Sequence, residues 1–308
     1  GIFALPAMLK RHYNPEIAMG SIMAGGTLGI LIPPSILAII YAVVAEQSVG
    51  ELFIGAVFPG LLLSGLYILY VVVRSYIDPS LGPPAPLEER ISFREKIQVM
   101  SKMSAPVALI VVVLGSIIAG YATPTEASGL GAFGAILVTL LYRRFDLATI
   151  MAAARQTVTT TSMVLLVMIG ATCFSAVFKA IGGDDMVETA ITAFGTDPLT
   201  VLAVVMGAIF LLGFVLDWLE ITLILMPIFA PIVAGLDFGN GLSGDALLVW
   251  FGILVAVNLQ TSFLTPPFGF ALFYLRGAAG GQLSATDIYM GVLRFILLQL
   301  LVLGLVIA

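Results

Sequence analysis

Residues 25–35 read GGTLGILIPPS and residues 260–269 read QTSFLTPPFG, so a double proline interrupts an apolar stretch near each end of this 308-residue chain. Each interruption lies within a stretch long enough to cross a bilayer. A helix that breaks at membrane depth is stable only where its backbone faces protein or a water-filled cavity. Paired breaks in corresponding halves of a chain indicate the binding site of a secondary transporter. The two breaks therefore favour transport.

Composition places the chain in a membrane. Hydrophobic residues make up 60% of it, charged residues 10%, and the mean hydropathy is +1.13. A soluble domain carries about 25% charged residues. Several segments reach the roughly 20 apolar residues that a spanning helix needs. These properties predict an all-α, polytopic membrane protein, and the single Cys173 excludes an intrachain disulfide. Because residue 1 is not Met and lies in an apolar segment, we expect the chain to be the C-terminal part of a longer protein.

The positive charges predict the topology. With Lys10 and Arg11 in the cytoplasm, twelve of the thirteen Lys and Arg residues fall on the inner side if residues 198–236 enter and leave by one face. Only Lys179 then lies outside. The positive-inside rule favours this arrangement over a single crossing. Residues 198–236 are therefore predicted to form a re-entrant hairpin.

The same topology gives the two broken segments opposite directions. Residues 17–45 run outward and 246–275 run inward, with their double prolines offset by 233 residues. Pro6 and Pro227 align at a similar offset of 221. Two such units of opposite orientation form an inverted repeat. A partner for the 198–236 hairpin is then expected before residue 1.

The chemistry of the breaks follows from proline, which has no amide hydrogen and clashes with the carbonyl four residues back. We expect free carbonyls at the positions four residues before each proline, and these oxygens suit Na⁺, as do nearby hydroxyls. The N-terminal ends of the new half-helices suit a carboxylate. The predicted ion ligands are Gly29, Ile30, Ser35, Ser262, Phe263, Thr265 and Asp217, and the predicted substrate ligands are Thr27, Glu220, Asn258, Gln260, Thr261 and Gly269.

Some of these assignments have alternatives. Asp217 and Glu220 either handle an ion or substrate at membrane depth or are solvated at the hairpin tip. Asn258 and Gln260 either line the cavity or bond across helices, or they are isolated polar residues without a role. Aromatic residues after the second break either shape an apolar pocket or pack ordinarily: Phe268, Phe270, Phe273 and Tyr274.

The chain lacks the metalloprotease, serine-hydrolase and P-loop motifs, so we expect no enzyme, no transition metal and no cofactor other than Na⁺ as the coupling ion.

Three ordered motifs carry a family resemblance. Residues 25–35, residues 122–127 (ATPTEA) and residues 258–270 (NLQTSFLTPPFGF) resemble the large membrane subunit of tripartite ATP-independent periplasmic (TRAP) transporters. The resemblance implies an inverted-repeat elevator-type transporter in the bacterial inner membrane, importing an organic acid by Na⁺ symport. It also implies two partners, a small membrane subunit and a periplasmic binding protein, and no nucleic acid. The sequence of residues 258–270 resembles members linked to 2-oxo acids, lactate and other monocarboxylates more than members linked to sialic acid or dicarboxylates.

The resemblance further implies a division of the chain into a transport domain and a scaffold. Residues 1–48 and 183–278 would belong to the transport domain, which holds the hairpin and both broken helices. Residues 49–182, with a cytoplasmic linker at 74–102, would be scaffold-type spans, with 123–182 left open between the two, and 279–308 would form a C-terminal span. The alternatives are a stand-alone Na⁺ or H⁺ symporter without a binding protein and, more remotely, an intramembrane enzyme.

Overall fold

The computed structural model describes residues 4–84, 92–101, 103–239, 241–266, 271–272 and 285–308. Within these ranges the regular structure is entirely helical, which confirms the all-α prediction. Five of the helices are long and apolar enough to cross a membrane: Val49–Ile77, Pro124–Leu141, Leu147–Ala180, Asp245–Leu264 and Ile288–Ile307. The chain is therefore a multi-pass membrane protein.

Thirteen helices follow one another in the described ranges. The first seven are α1 Ala4–Lys10, α2 Pro15–Thr27, α3 Ile36–Val44, α4 Val49–Ile77, α5 Phe93–Ser101, α6 Ser104–Ile118 and α7 Pro124–Leu141. The other six are α8 Leu147–Ala180, α9 Gly183–Thr192, α10 Pro198–Leu212, α11 Trp218–Ala234, α12 Asp245–Leu264 and α13 Ala285–Ile307.

The helix starts follow local capping chemistry. The Asn14 side chain accepts the amide of Glu16 at 2.9 Å, and Pro15 occupies the first helical position of α2. At α7, Thr123 and Glu126 form a reciprocal capping box. These side chains satisfy amides that the first helical turn leaves without partners. Asp146 does the same before α8, where bonds from the Thr149 hydroxyl and from two backbone amides hold the pKa of this carboxyl below its usual range.

The chain divides into two compact units. One contains residues 1–84 and 168–308, and the other contains residues 85–167. The sequence predicts an interfacial helix after Asp146 that leads into a span from about residue 157 to 180, and in the structure the two form one continuous helix of 34 residues, α8. No proline or glycine occurs between Leu147 and Ile169 to interrupt it, and the threonines in this stretch, such as Thr157, bond to a carbonyl four residues back.

The first unit contains both breaks. Helix α2 gives way at residues 28–30 to a 3₁₀ turn, and α3 begins only after Ser35, which has an extended backbone and accepts the amide of Ala38. Helix α12 ends at Leu264, and Thr265 is again extended. The restriction that proline places on the residue before it accounts for Thr265, which precedes Pro266, whereas Ser35 is extended because it is the N-cap of α3. The predicted breaks are confirmed at residues 28–35 and at Thr265, while residues 267–270 lie outside the described ranges.

The predicted hairpin region consists of two contacting helices, α10 and α11, joined by a turn at residues 213–217. Residues 221–225 of α11 form a π-helical turn. Such turns are rare and occur frequently at functional sites. The turn lies directly after the two carboxylates that the sequence analysis selected, Asp217 and Glu220.

Helix α12 is the buried centre of this unit. Every residue from Phe251 to Leu264 is buried, and α12 contacts α2, α3, α4, α10 and α13. A helix that is apolar all round and covered on all sides belongs in a protein interior. The second break therefore starts from the best-packed element of the fold.

Helices α2 and α13 pack backbone to backbone. A Cβ built at Gly291 would lie 2.6 Å from the carbonyl oxygen of Glu16, and one built at Gly20 would collide with the carbonyl oxygen of Gly291. Small residues allow membrane helices to approach this closely. The contact fixes the last helix of the chain against the helix that carries the first break.

Candidate functional site

The first arm of the hairpin is bonded to the helix that carries the second break. Asn258 of α12 donates its side-chain amide to the carbonyl of Met206 at 2.8 Å. One turn further on, the Ser262 hydroxyl donates to the carbonyl of Phe210 at 2.8 Å. Asn258 therefore makes a hydrogen bond across helices, which the sequence analysis gave as one of its roles.

The hydrogen bond from Ser262 gives a partner to a carbonyl at the end of α10. The carbonyls in the last turn of a helix lack intrahelical partners. Near the end of α10, the amide of Gly213 bonds to Ile209 and that of Phe214 bonds to Leu211, which leaves the Phe210 carbonyl to Ser262. Ser262 thus acts as a cap supplied by a neighbouring helix.

Gly213 allows the hairpin tip to approach the break. A Cβ at this position would collide with the hydroxyl oxygen of Ser262 and lie 2.9 Å from its Cβ. The backbone of Gly213 is right-handed helical, with φ −65° and ψ −7°, so the glycine is needed for space and not for its conformation. Gly213 was not among the predicted site residues, because the requirement for glycine depends on the neighbouring helix.

The second arm of the hairpin packs against the helix that follows the first break. Helix α11, including its π-helical turn, contacts α3. Helix α3 in turn is joined to α12, since the Tyr41 hydroxyl donates to the carbonyl of Leu248 at 2.6 Å and its ring lies against Gly252. One hairpin therefore contacts both broken helices.

The predicted hydroxyl ligands other than Ser262 each donate a local hydrogen bond. Ser35 donates to the carbonyl of Ile30, Thr261 to that of Val257 at 3.1 Å, and Thr265 to that of Thr261 at 2.6 Å. A hydroxyl oxygen that donates its proton keeps lone pairs for a further contact. These oxygens can therefore still coordinate a cation.

The carbonyls of Ile30 and Ser262 were expected to be free but have partners, and the expectation was wrong for them. The Ile30 carbonyl accepts the Ser35 hydroxyl. The Ser262 carbonyl accepts the amide of Thr265 at 3.1 Å. At Ser262, an amide three residues further along the chain replaces the hydrogen bond that proline removes. At Ile30, the hydroxyl of the capping residue Ser35 replaces it. Each carbonyl oxygen retains a second lone pair.

Thr27 lies away from the open part of the first break. It is buried, donates to the carbonyl of Ala24 at 2.9 Å, and accepts from the side-chain amide of Gln299 at 3.4 Å. The sequence analysis missed Gln299 of α13, which is fully buried. A lone glutamine within the apolar run 288–307 was the available signal. By contrast, Gly29 of the same break is exposed, with no heavy atom within 4 Å of an ideal Cβ.

The hairpin carboxylates differ from each other. Asp217 is half-buried and accepts the amide of Trp218 at 2.9 Å, so it caps the start of α11. Glu220 has one buried carboxylate oxygen, Oε2, without a hydrogen-bond partner in the described ranges. The capping bond gives Asp217 a structural task, whereas Glu220 has unused acceptor capacity.

Gln260 has the most conspicuous unmet hydrogen-bonding potential. It is fully buried, and neither its amide nitrogen nor its oxygen has a partner among the described residues. Helical spacing places it on the same face of α12 as Ile253 and Ala256, which line a small apolar cavity together with Ile30 and Leu31. Gln260 is thus on the side of α12 that faces the first break.

The remaining predicted residues divide by position. Phe263 is buried in the last turn of α12. Gly269 and the aromatic residues Phe268, Phe270, Phe273 and Tyr274 lie outside the described residues. In the described ranges no three His, Cys, Asp or Glu side chains cluster in a way that could hold a metal ion.

Comparison with known proteins gives a consistent result. A family model described as "Tripartite ATP-independent periplasmic transporter, DctM component" matches residues 1–308. The C4-dicarboxylate TRAP transporter large permease protein DctM of Pseudomonas aeruginosa is 32% identical over 93% of this chain and 64% of its own length. The ectoine/5-hydroxyectoine large permease protein UehC of Ruegeria pomeroyi is 30% identical over 87% of this chain and 60% of its own length. The sialic acid large permease protein SiaM of Vibrio cholerae is 27% identical over 99% of this chain and 68% of its own length. The chain thus spans less than two thirds of the first two relatives.

Proposed function

The chain belongs to the DctM component family of tripartite ATP-independent periplasmic (TRAP) transporters, and from this membership we propose that it is the membrane permease part of a secondary transporter that imports a small organic carboxylate with Na⁺. Large permeases of this family are multi-pass proteins of the bacterial inner membrane. The proposed partners are a small membrane subunit and a periplasmic binding protein that delivers the substrate. We propose no enzymatic activity.

One observation carries the proposal: a single hairpin contacts both broken helices. Its first arm bonds to α12 through Asn258 and Ser262, and its second arm packs on α3. An ion or substrate bound between the breaks would contact elements that are already held together. Binding at such a place can bias the whole assembly, because a ligand shifts an equilibrium by its differential affinity for the two states.

The proposed Na⁺ ligands are neutral oxygens together with the half-buried carboxylate of Asp217. Carbonyl lone pairs of Ile30 and Ser262 and the hydroxyls of Ser35 and Thr265 remain available after their local bonds. Hard cations are held by oxygen ligands of this kind. The unpartnered amide of Gln260 is proposed to bind the substrate, because an amide can both donate to a carboxylate and accept from a hydroxyl.

The substrate class is proposed from the helix end. Helix α3 begins at the first break, and its N-terminal amides and dipole favour an anion. The relatives named for C4-dicarboxylates and for sialic acid are named for acids. We propose a small carboxylate, with a 2-oxo acid or another monocarboxylate as the first to test. We further propose that the unit with the hairpin and the broken helices moves as an elevator.

Ion replacement tests the coupling. The full-length permease, with its small subunit and binding protein, is reconstituted in vesicles, and uptake of a panel of acids is measured at fixed pH with Na⁺ outside. Replacement of Na⁺ by choline is expected to abolish uptake of the transported acid. Undiminished uptake in choline would refute Na⁺ coupling.

Variants at the breaks test the ligands. Thr265→Ala and Asp217→Asn are expected to raise the Na⁺ concentration that gives half-maximal uptake by about tenfold, since a contact to an ion is worth roughly 1.5–3 kcal/mol. Thr172→Ala is the matched control, because Thr172 donates the same type of intrahelical bond, at 2.8 Å to Met168, from an exposed position. If Thr265→Ala and Asp217→Asn both behave like the control, the assigned ligands are wrong.

A further inference from the structure

A second cavity lies at the other end of the hairpin from its tip. It has a volume of about 250 Å³ and is open to the surface. Its walls come from four elements: the end of α3, the end of α8, the second arm of the hairpin and the start of α12. The lining residues that matter for its chemistry are Glu46, Lys179, Met226, Pro227, Pro231 and Ala234.

The charge asymmetry of the sequence places this cavity on the outer side. In the predicted topology the end of α3, the base of the hairpin and the start of α12 are all outside, and Lys179 is the one Lys or Arg of the thirteen on that side. The structure brings these four chain segments together around one opening. The only outward cation in that topology therefore faces the cavity.

The cavity is lined by an amphipathic surface. Met226, Pro227, Ala230, Pro231 and Ala234 form an apolar wall, and Lys179 also lines the cavity. Lys179 pairs with Asp184 at only 3.9 Å, with both side chains nearly half exposed. Such a pair is screened by water and holds its cation weakly. Lys179 can therefore exchange Asp184 for another anion.

A negatively charged residue, Glu46, also lines the cavity, just after the end of α3. Glu46 has a left-handed backbone, with φ 54°, and the amide of Gln47 bonds to the carbonyl of Ala42 at 2.8 Å. This is the bonding pattern of a Schellman helix end. The helix end thus places Glu46 in the lining, where its negative charge opposes an anion in the cavity.

We infer that this cavity is an outer reception site, in which Lys179 binds the carboxylate of the substrate and the hairpin wall contacts its carbon skeleton. The inference rests on the proposed function for the identity of the substrate. It assigns a site distinct from the helix breaks, at the opposite end of the same hairpin arm. Removal of Lys179 weakens binding, and removal of Glu46 or Asp184 strengthens it.

A cysteine protection assay tests the site directly. Cys173 is exposed, so it is first replaced by serine in the full-length permease with its small subunit. Ala234→Cys, which lies in the exposed part of the lining, is then reacted with a membrane-impermeant maleimide in the presence of pyruvate or succinate. Each acid is expected to slow labelling of Ala234→Cys but not of Ala190→Cys, an exposed position on α9 outside the cavity. Succinamide, which lacks the charge, should not protect.

Charge variants give effects of opposite sign, which a folding defect cannot produce. Lys179→Gln is expected to raise the acid concentration for half-protection about tenfold, as loss of a charge-assisted bond predicts, whereas Lys179→Arg keeps it. Glu46→Gln and Asp184→Asn are expected to lower that concentration severalfold. Equal protection in Lys179→Gln and the parent would overturn the inference. So would protection that follows phosphatidylglycerol in the vesicles instead of the added acid.

The assay separates this inference from the proposed function. Protection is measured without a Na⁺ gradient and without transport. If uptake fails to depend on Na⁺ while protection depends on Lys179, the reception site stands and the coupling proposal falls. If Na⁺-dependent uptake is present but no acid protects Ala234→Cys, the reception site falls alone.

Discussion

The Ser262 hydroxyl gives the last turn of α10 a partner that the helix itself lacks. Because Ser262 lies three residues before the second break, one side chain joins the hairpin end to the place where the helix is interrupted. Asn258 repeats the arrangement one turn earlier. At the residue scale, the hairpin is thus held to α12 by polar bonds to its backbone and not only by apolar contact.

A substitution that fills the space at Gly213 tests this attachment of the hairpin to α12. In Gly213→Ala the added methyl group must displace the Ser262 hydroxyl, and overpacking of this kind costs roughly 1–3 kcal/mol. We expect Na⁺-driven uptake to fall about tenfold, as measured in vesicles. Gly207→Ala on the same helix is the control, because an ideal Cβ there has no heavy atom within 4 Å. Equal uptake by the two variants would show that the tip does not need this close approach.

Residue-level prediction from the sequence worked for polar residues in apolar surroundings. Asn258, Gln260 and Ser262 are conspicuous for that reason, and all three are buried. Gly213 gives no such signal, since glycine is common in membrane helices. The carbonyl expectation was wrong for Ile30 and Ser262, because proline removes a bond without determining which neighbouring group takes its place.

At the scale of the element, the broken helices and the capped helix starts follow from short-range chemistry and were predictable. Proline acts on its own neighbours, and a capping box spans only four residues. The continuity of α8 was harder to predict, because a change from polar to apolar composition at Thr161–Val164 can occur within one helix. The close packing of α2 on α13 is a contact between distant segments, which no local pattern contains.

The close contact between α2 and α13 predicts that a larger residue at Gly291 lowers the stability of the protein. Gly291→Ala places a methyl group 2.6 Å from the Glu16 carbonyl oxygen, and the backbone of α2 cannot give way as a flexible side chain would. We expect a loss of about 2 kcal/mol in stability, seen as a lower Tm in detergent. Gly304→Ala in the same helix meets nothing within 4 Å and should leave the Tm unchanged. A similar drop in both variants would refute the packing argument.

At the scale of the whole molecule, the charge distribution predicts which segments share a side of the membrane. Long-range sidedness is accessible from sequence because the positive-inside rule acts on loops and not on contacts. The shape of the cavities is not accessible in this way, since it depends on side chains from four separate segments.

Single-cysteine labelling tests the hairpin topology. Thr196→Cys and Asp237→Cys, exposed at the two ends of the α10–α11 hairpin, are placed in the Cys173→Ser background. A membrane-impermeant maleimide is expected to label both in intact cells, and to label Arg144→Cys only after permeabilisation. If positions 196 and 237 react from opposite sides, the segment crosses the membrane and Arg294 lies outside.

The glycine contact between α2 and α13 also has a consequence for biosynthesis. Thr27 and Gln299, which bond near this contact, are 272 residues apart. At about 5–20 residues per second, a ribosome needs roughly 15–50 s to make the second after the first. During that interval the glycine face of α2 is in the bilayer without its partner. A factor that holds α2 at the insertion site, or slow release of α2 from it, would therefore affect the yield of folded protein.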